Sequence, residues 1–218
     1  MSADKKTFDL PRQLFYVLIV RPVLMILLGL SVRHLERLTV KPRHLIAANH
    51  NSHLDALVLM SLIKFRDIPK VKLVAAKDYF CRTNLRTWIS LNLIGVIPIE
   101  RNPQEGEDVL APVKAAIEDG YTIVIFPEGT RGEPEKRQPL KYGIAKLVQE
   151  MPDVTVTPVF MHGLGKSLPR GERLLVPFVC QVNVGEALSW AGDRAAFIAA
   201  LEQSLSELEA ELGAKGWE

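Results

Sequence analysis

Apolar and polar positions alternate in blocks along this 218-residue chain. Short apolar runs at 44–48, 71–76, 121–126, 154–160 and 174–184 read as buried strands. Between them, residues 54–62, 83–93, 107–119 and 141–150 read as helices, the third stopped by Gly120 and the fourth ending before Pro152. The last helix is the clearest, because Ile198, Leu201, Leu205, Leu208 and Leu212 recur at three- and four-residue steps with glutamates between them. Strands alternating with helices predict an α/β domain: a mixed, largely parallel sheet flanked by helices.

The amino terminus breaks this rhythm. Residues 14–32 are apolar apart from Arg21, with Pro22 beside it and Gly29 and Ser31 further on. Such a run is about long enough to cross a bilayer. A central arginine, however, costs roughly 2.5–3.5 kcal/mol on insertion scales, and proline weakens the helix beside it. The pattern predicts two short apolar helices with a bend at Arg21-Pro22, dipping into one leaflet, and no removed signal peptide. Lys5, Lys6, Arg12, Arg33, Arg37, Lys41 and Arg43 flank the run on both sides, which suits an anionic cytoplasmic leaflet. The other reading packs the same helices on the domain. The expected division is a membrane-associating helical segment at 1–40 and a single domain at 41–218.

Composition narrows the classes. A chain of this length, 48% hydrophobic, supports one sizeable core. A net charge of +2 argues against nucleic acid as the main partner. Cys81 and Cys180 fit no metal or redox spacing and read as buried thiols in a reducing compartment.

The sharpest chemistry lies in Asn49-His50-Asn51-Ser52-His53-Leu54-Asp55, between the 44–48 strand and the 54–62 helix. An imidazole titrates near neutrality, so His50 can take a proton from an alcohol and return it. A carboxylate at Asp55 can hold the ring in one tautomer and stabilise the imidazolium. On a continuous helix, positions five apart would lie about 140° round the axis. With Ser52 as N-cap, Asp55 falls in the first turn and leans back toward the loop that carries His50. The plainer reading makes Asp55 a cap and His50 an ordinary loop histidine. His53 competes for the catalytic role, and a His50/His53 metal pair lacks further ligands.

Three other segments stand out. Gly95-Val96-Ile97-Pro98-Ile99-Glu100-Arg101 ends an apolar run in an ion-capable pair. Phe126-Pro127-Glu128-Gly129-Thr130-Arg131 takes a buried strand into a turn, where backbone N–H groups beside Arg131 suit a phosphate or an oxyanion. A plain turn with a surface ion pair is the alternative there. Lys136, Arg137 and Lys141 follow and can add positive charge. Val156-Thr157-Pro158-Val159-Phe160 has no titratable group and either lines an alkyl pocket or fills the core. His162 receives no role.

Together these segments resemble the PlsC-like 1-acyl-glycerol-3-phosphate acyltransferases of glycerolipid synthesis. All four family motifs occur in order: H-x4-D at His50 and Asp55, the G-x-I-x-I-[DE]-R type at Gly95 to Arg101, F-P-E-G-T-R at Phe126 to Arg131, and the V-x-P-V type at Val156 to Val159. Lys141-Tyr142-Gly143 sits where the family often has F-K-x-G. The resemblance covers about residues 40 to 165. It departs after the third motif, where Gly132-Glu133-Pro134-Glu135 replaces the family's frequent serine and second arginine.

The resemblance implies an O-acyltransferase of phospholipid biosynthesis. His50 would be general base and Asp55 its orienter. Arg101 and Arg131 would hold the acceptor phosphate, with Glu128, Gly129 and Thr130 shaping that site. The donor would be acyl-CoA or an acyl-carrier-protein, and the acceptor a phosphate-bearing lysophospholipid, foremost 1-acyl-sn-glycerol 3-phosphate. A thioester donor carries its own activation, so neither metal nor bound cofactor is implied. The expected location is the cytoplasmic face of the cytoplasmic membrane. A lipid-binding or scaffolding protein without turnover is the alternative. A hydrolase would need a G-x-S-x-G elbow, which the chain lacks.

Overall fold

All five residues of His44–Ala48 are buried, and this strand lies at the centre of the sheet. The computed structural model describes residues 9–52, 54–77, 87–100, 106–132, 136–164 and 179–213. Among these residues the strands are β1 (Gly29–Arg33), β2 (His44–Ala48), β3 (Val71–Ala76), β4 (Val96–Ile99), β5 (Thr122–Ile125), β6 (Thr155–His162) and β7 (Val179–Val184). They form one sheet in the order β1-β7-β6-β2-β5-β3-β4, parallel throughout except for β6 against β7. The expected mixed, largely parallel sheet is thus present.

Side chains alternate across β2, and each face meets its own layer of helices. Leu45 and Ala47 join a core with α4 (Ala111–Glu118), α5 (Gly143–Glu150) and α6 (Arg194–Glu211) through Val113, Ile117, Ile144, Leu147, Leu201 and Leu205. Ile46 and Ala48 face the other way, onto Val58 and Leu59 of α3 (Asp55–Leu62) and onto Tyr16, Val20 and Leu24 near the amino terminus. The expected helix at 107–119 begins only at Ala111, because Pro112 fits the first turn, where no intrahelical donor is required. Val156 and Val159 of β6 lie in the core, which resolves the fourth segment in favour of packing.

The amino-terminal region differs from expectation in two ways. First, no break falls at Arg21-Pro22. Helix α1 (Leu10–Leu14) runs through a π-helical turn (Phe15–Val20) into α2 (Arg21–Leu27), with right-handed backbone angles at Val20 and Arg21. The Arg21 N–H reaches the Tyr16 carbonyl five residues back, and this wider turn gives the Pro22 ring room. Second, residues 29–33 are not helical. Leu28 turns to extended angles, and β1 adds to the sheet edge beside β7. Among the described residues of the 1–40 segment, helix runs from Leu10 to Leu27 and recurs in the single turn Leu35–Arg37, and the strand belongs to the common sheet.

Two arginines tie this helix down. Arg21 donates to the carbonyls of Ser61 and Ile63, which are orphaned at the C-terminal end of α3. Arg12 is buried and donates to Val71 O at 2.8 Å and Ile94 O at 2.9 Å, joining α1 to the start of β3 and to the end of a second π-helical turn (Ile89–Ile94). One side of the helix packs on the sheet, while Leu18, Met25 and Ile26 on the other are 65%, 76% and 81% exposed. No helix among the described residues is long and apolar enough to cross a membrane.

Gly95 follows Ile94 with φ of +81°, and a Cβ there would collide with the Arg12 guanidinium. That guanidinium is held by two carbonyls and cannot swing away cheaply. Gly95→Ala is expected to destabilise the protein by about 2–4 kcal/mol, through left-handed backbone strain plus overpacking. Urea unfolding measures this, and an unchanged midpoint would contradict it.

His44 is fully buried, with Nδ1 2.8 Å from Thr155 Oγ1 and Nε2 3.2 Å from Thr157 Oγ1. Burial, aided by the charge on Lys41, pushes its pKa down to about 4. The folded protein thus needs the neutral ring. This contribution is complete above the unfolded value near pH 6.5 and is lost as pH falls from there toward 4. The loss amounts to about 2–3 kcal/mol at pH 4.5. His44→Gln should flatten the pH dependence of urea stability over that window by about this amount; parallel curves for the two proteins would refute it.

Candidate active site

The parallel register brings two of the singled-out segments together. β2 and β5 are neighbours, with Ala47 opposite Ile125, so the loops after both strands leave the same edge of the sheet side by side. In parallel α/β sheets this carboxyl edge is where ligands gather. The residue after β2, Asn49, is buried and spends its amide on β6, donating to Met161 O at 2.8 Å and accepting from Met161 N–H at 2.7 Å. This side chain takes over the strand's pairing, so the backbone can turn away and present His50.

His50 and Asp55 meet as the strand–loop–helix argument requires. Nδ1 of His50 lies 2.8 Å from Oδ2 of Asp55. With the carboxylate accepting, Nδ1 carries the proton and Nε2 is left with a lone pair. The His50 ring stacks on Phe126 at 4.2 Å between centroids and 21° between planes, which restricts its rotation. The same Oδ2 also accepts the backbone N–H groups of Asn51 at 2.7 Å and Ser52 at 2.8 Å. Asp55 is completely buried. Burial raises its pKa, while the imidazole and the two backbone donors pull it back toward the ionised form.

The expected cap is realised only in part. Helix α3 begins at Asp55 rather than just after Ser52, and Ser52 Oγ accepts from Leu54 N–H at 3.3 Å. The reciprocal half of the capping box, the Asp55 carboxylate on the Ser52 N–H, is the half that also serves His50. His53 lies outside the described residues, so its candidacy has no geometry to weigh.

The Phe126–Arg131 turn is closed by a hydrogen bond from Gly129 N–H to Phe126 O at 3.0 Å, with proline second and glycine fourth as such turns favour. Glu128 does not open onto a ligand. It is 1% exposed, and its two oxygens accept the backbone N–H groups of His50 and Gln138, each at 3.1 Å. Burial raises its pKa, and those two donors lower it. In return, Gly132 N–H donates to His50 O at 3.2 Å. Glu128, expected to help shape the acceptor's site, fixes the turn against the His50 loop through these two bonds.

Gly129, Thr130 and Arg131 do line a cavity, together with His50. It encloses about 230 Å³, and its remaining walls are mostly apolar, from β3, β4, Ile125 and Ile144. An alkyl chain fits such walls, with a basic nitrogen and a guanidinium at the polar side. Of the three cations following the turn, only Lys141 lines this cavity. Arg137 is turned away to α6, where it meets Glu209 and Ser206. Arg101 lies outside the described residues, as do Cys81 and residues 133–135, so the second arginine and the two added acids receive no placement. Lys77, just past β3 and 3.6 Å from Glu100, is a cation at the same sheet edge that carried no motif to mark it. Asn49 and Phe126 gained their roles from contacts more than 70 residues away along the chain.

Comparison with known proteins agrees with this geometry. The sequence profile of the Acyltransferase family matches residues 29–162. The chain is 31% identical over 126 residues to the chloroplastic 1-acyl-sn-glycerol-3-phosphate acyltransferase LPAT1 of Arabidopsis thaliana, covering 57% of this chain and 33% of that one. It is 27% identical over 146 residues to human 1-acyl-sn-glycerol-3-phosphate acyltransferase alpha, covering 65% and 48%. The chain thus spans about a third to a half of the length of these relatives. The crystal structure of the 1-acyl-sn-glycerophosphate (LPA) acyltransferase PlsC from Thermotoga maritima shares the fold, with a TM-score of 0.76 at 17% identity, covering 94% of this chain and 81% of that one. With the profile spanning more than half of its length and the His50–Asp55 pair assembled within the match, the chain belongs to the Acyltransferase family.

Proposed function

We propose that this protein is a 1-acylglycerol-3-phosphate O-acyltransferase. It moves a fatty acyl group from acyl-CoA or an acyl-carrier-protein to the free hydroxyl of a phosphate-bearing lysolipid, giving phosphatidate. The observation that carries the proposal is the His50 Nδ1 to Asp55 Oδ2 contact of 2.8 Å at the mouth of an apolar cavity that also holds Arg131. Relatives bearing this activity in their names support the choice of acceptor.

In this mechanism Nε2 of His50 takes the hydroxyl proton as the acceptor oxygen attacks the thioester carbonyl carbon. Asp55 stabilises the imidazolium that results, without taking its proton. The tetrahedral intermediate collapses with cleavage of the C–S bond, and the departing thiolate recovers the proton from His50. No acyl-enzyme forms. Arg131 pairs with the acceptor phosphate, and the apolar walls take an acyl chain. Gly129 and Thr130 line the same cavity, and Arg101, outside the described residues, stays an expected phosphate ligand whose place is open.

In this reading the chemistry takes place at the cytoplasmic face of the membrane, with the amino-terminal helix as the contact. Its buried side packs on the sheet, and the exposure of Leu18, Val23, Met25 and Ile26 on the other side supports their insertion into the headgroup and upper acyl region of one leaflet. That depth suits a lysolipid acceptor already resident in the leaflet.

Incubation with lysophosphatidate and an acyl-thioester should yield phosphatidate, and His50→Ala should lower kcat by about 10²–10⁴-fold. Asp55→Asn should reduce kcat by a factor in the same range. Equal product from wild type and His50→Ala would sink the enzymatic reading. For the membrane contact, Leu18→Glu combined with Ile26→Glu should weaken co-sedimentation with anionic vesicles at least tenfold, on the order of the apolar burial removed. The melting temperature should hold, because both side chains face solvent. Unchanged vesicle binding would remove the helix from this role.

A further inference from the structure

Lys141 lies ten positions beyond Arg131 in the chain, yet both line the same cavity. Its backbone N–H donates to Pro127 O at 2.8 Å, which pins its Cα to the Phe126–Arg131 turn. Its aliphatic stem then crosses Gly129: a Cβ at that glycine would sit 3.4 Å from Lys141 Cγ and 3.9 Å from Cε. The stem therefore runs over the turn, and Lys141 lines the cavity together with Thr130 and Arg131. Three other cations among the described residues are paired with acids. Arg137 is paired with Glu209 at 2.9 Å, and Lys114 and Lys146 share Asp108 and Glu150. Lys141 has no acidic partner among the described residues.

A phosphomonoester carries between −1.5 and −2 charges at neutral pH, with its second pKa near 6, whereas a phosphodiester carries about −1. One guanidinium balances a diester. A monoester calls for a further cation, and among the described residues Arg131 and Lys141 line the same cavity. Resting on the reading of this site as that of a lysolipid acyltransferase, we infer that Lys141 is the second cation of the acceptor headgroup site and makes it selective for phosphomonoesters over phosphodiesters. Arg131 supplies the planar fork and Lys141 the mobile point charge, on a stem whose path the bare Gly129 leaves open.

The test compares wild type, Lys141→Ala and Lys141→Arg in the full chain, with lysophosphatidate as monoester and lysophosphatidylglycerol as diester. Lys141→Ala is expected to raise KM for lysophosphatidate about tenfold and to lower the monoester-to-diester ratio of kcat/KM by a similar factor. KM for the acyl-thioester donor should stay within about twofold, and Lys141→Arg should restore most of the preference. Circular dichroism should be the same for all three, since the structural hydrogen bond uses the backbone N–H and the side chain is exposed. A Lys141→Ala protein that keeps its monoester preference, or whose donor KM rises instead, overturns the role of Lys141 while leaving lysophosphatidate acylation intact. A wild type that acylates only the diester, in a His50-dependent way, overturns both the headgroup selectivity and the proposed acceptor.

Discussion

One buried oxygen, Oδ2 of Asp55, organises the site. It accepts the imidazole N–H of His50 and the backbone N–H groups of Asn51 and Ser52, all within 2.8 Å. Burying a carboxylate completely is costly unless hydrogen bonds replace the lost water; three charge-assisted bonds on Oδ2 offset part of that cost, while Oδ1 is buried without a hydrogen-bond partner among the described residues. The same bonds fold the 49–55 loop, begin α3 and select the His50 tautomer. Loop conformation and catalytic competence are thus one interaction seen from two sides, and loss of the carboxylate disturbs both.

That loop is held from outside as well. Asn49 closes onto Met161 of β6, Glu128 receives the His50 N–H, and Gly132 donates to the His50 carbonyl. β2 therefore ends in a residue bonded to the neighbour on one side and leads into a loop bonded to the neighbour on the other. His50 is positioned by the sheet itself, which is why a short loop can hold an imidazole still enough to act as a base. The polar residues closest to the base mostly position it, and the cavity keeps only a few polar groups for ligands.

The amino-terminal helix serves two requirements that pull in opposite directions. It must cover one face of the sheet, and Tyr16, Val20 and Leu24 do so. It also leaves a row of large apolar side chains in solvent. Arg12 and Arg21 reconcile the two, because each grips carbonyl groups of the domain rather than acidic side chains. Carbonyl partners take up the guanidinium N–H groups and leave the positive charges in place. An arginine that reads from sequence as an obstacle to membrane insertion is in fact the fastening.

Much of the fold was legible from periodicity, because buried strands must be apolar and α6 must repeat its leucines to cover the sheet. β2 and β3 occupy the very residues expected, and His50–Asp55 meet as the helix-start argument required. Residues 29–32, expected to be helical, form a strand instead, since an apolar run continuous with a helix carries no local sign that a sheet edge awaits it. Glu128 was expected to shape the acceptor's site, but a motif shows which residues cluster and not which way each one faces. Its orientation follows from two N–H groups, one of them 78 residues away in the chain. Lys141 joined the site for a similar reason, through one backbone hydrogen bond to Pro127. Local pattern settles what each segment becomes, since helix and strand preferences act over a few residues. Which side chains face one another depends on strand order and register, and those are set only when the whole core packs.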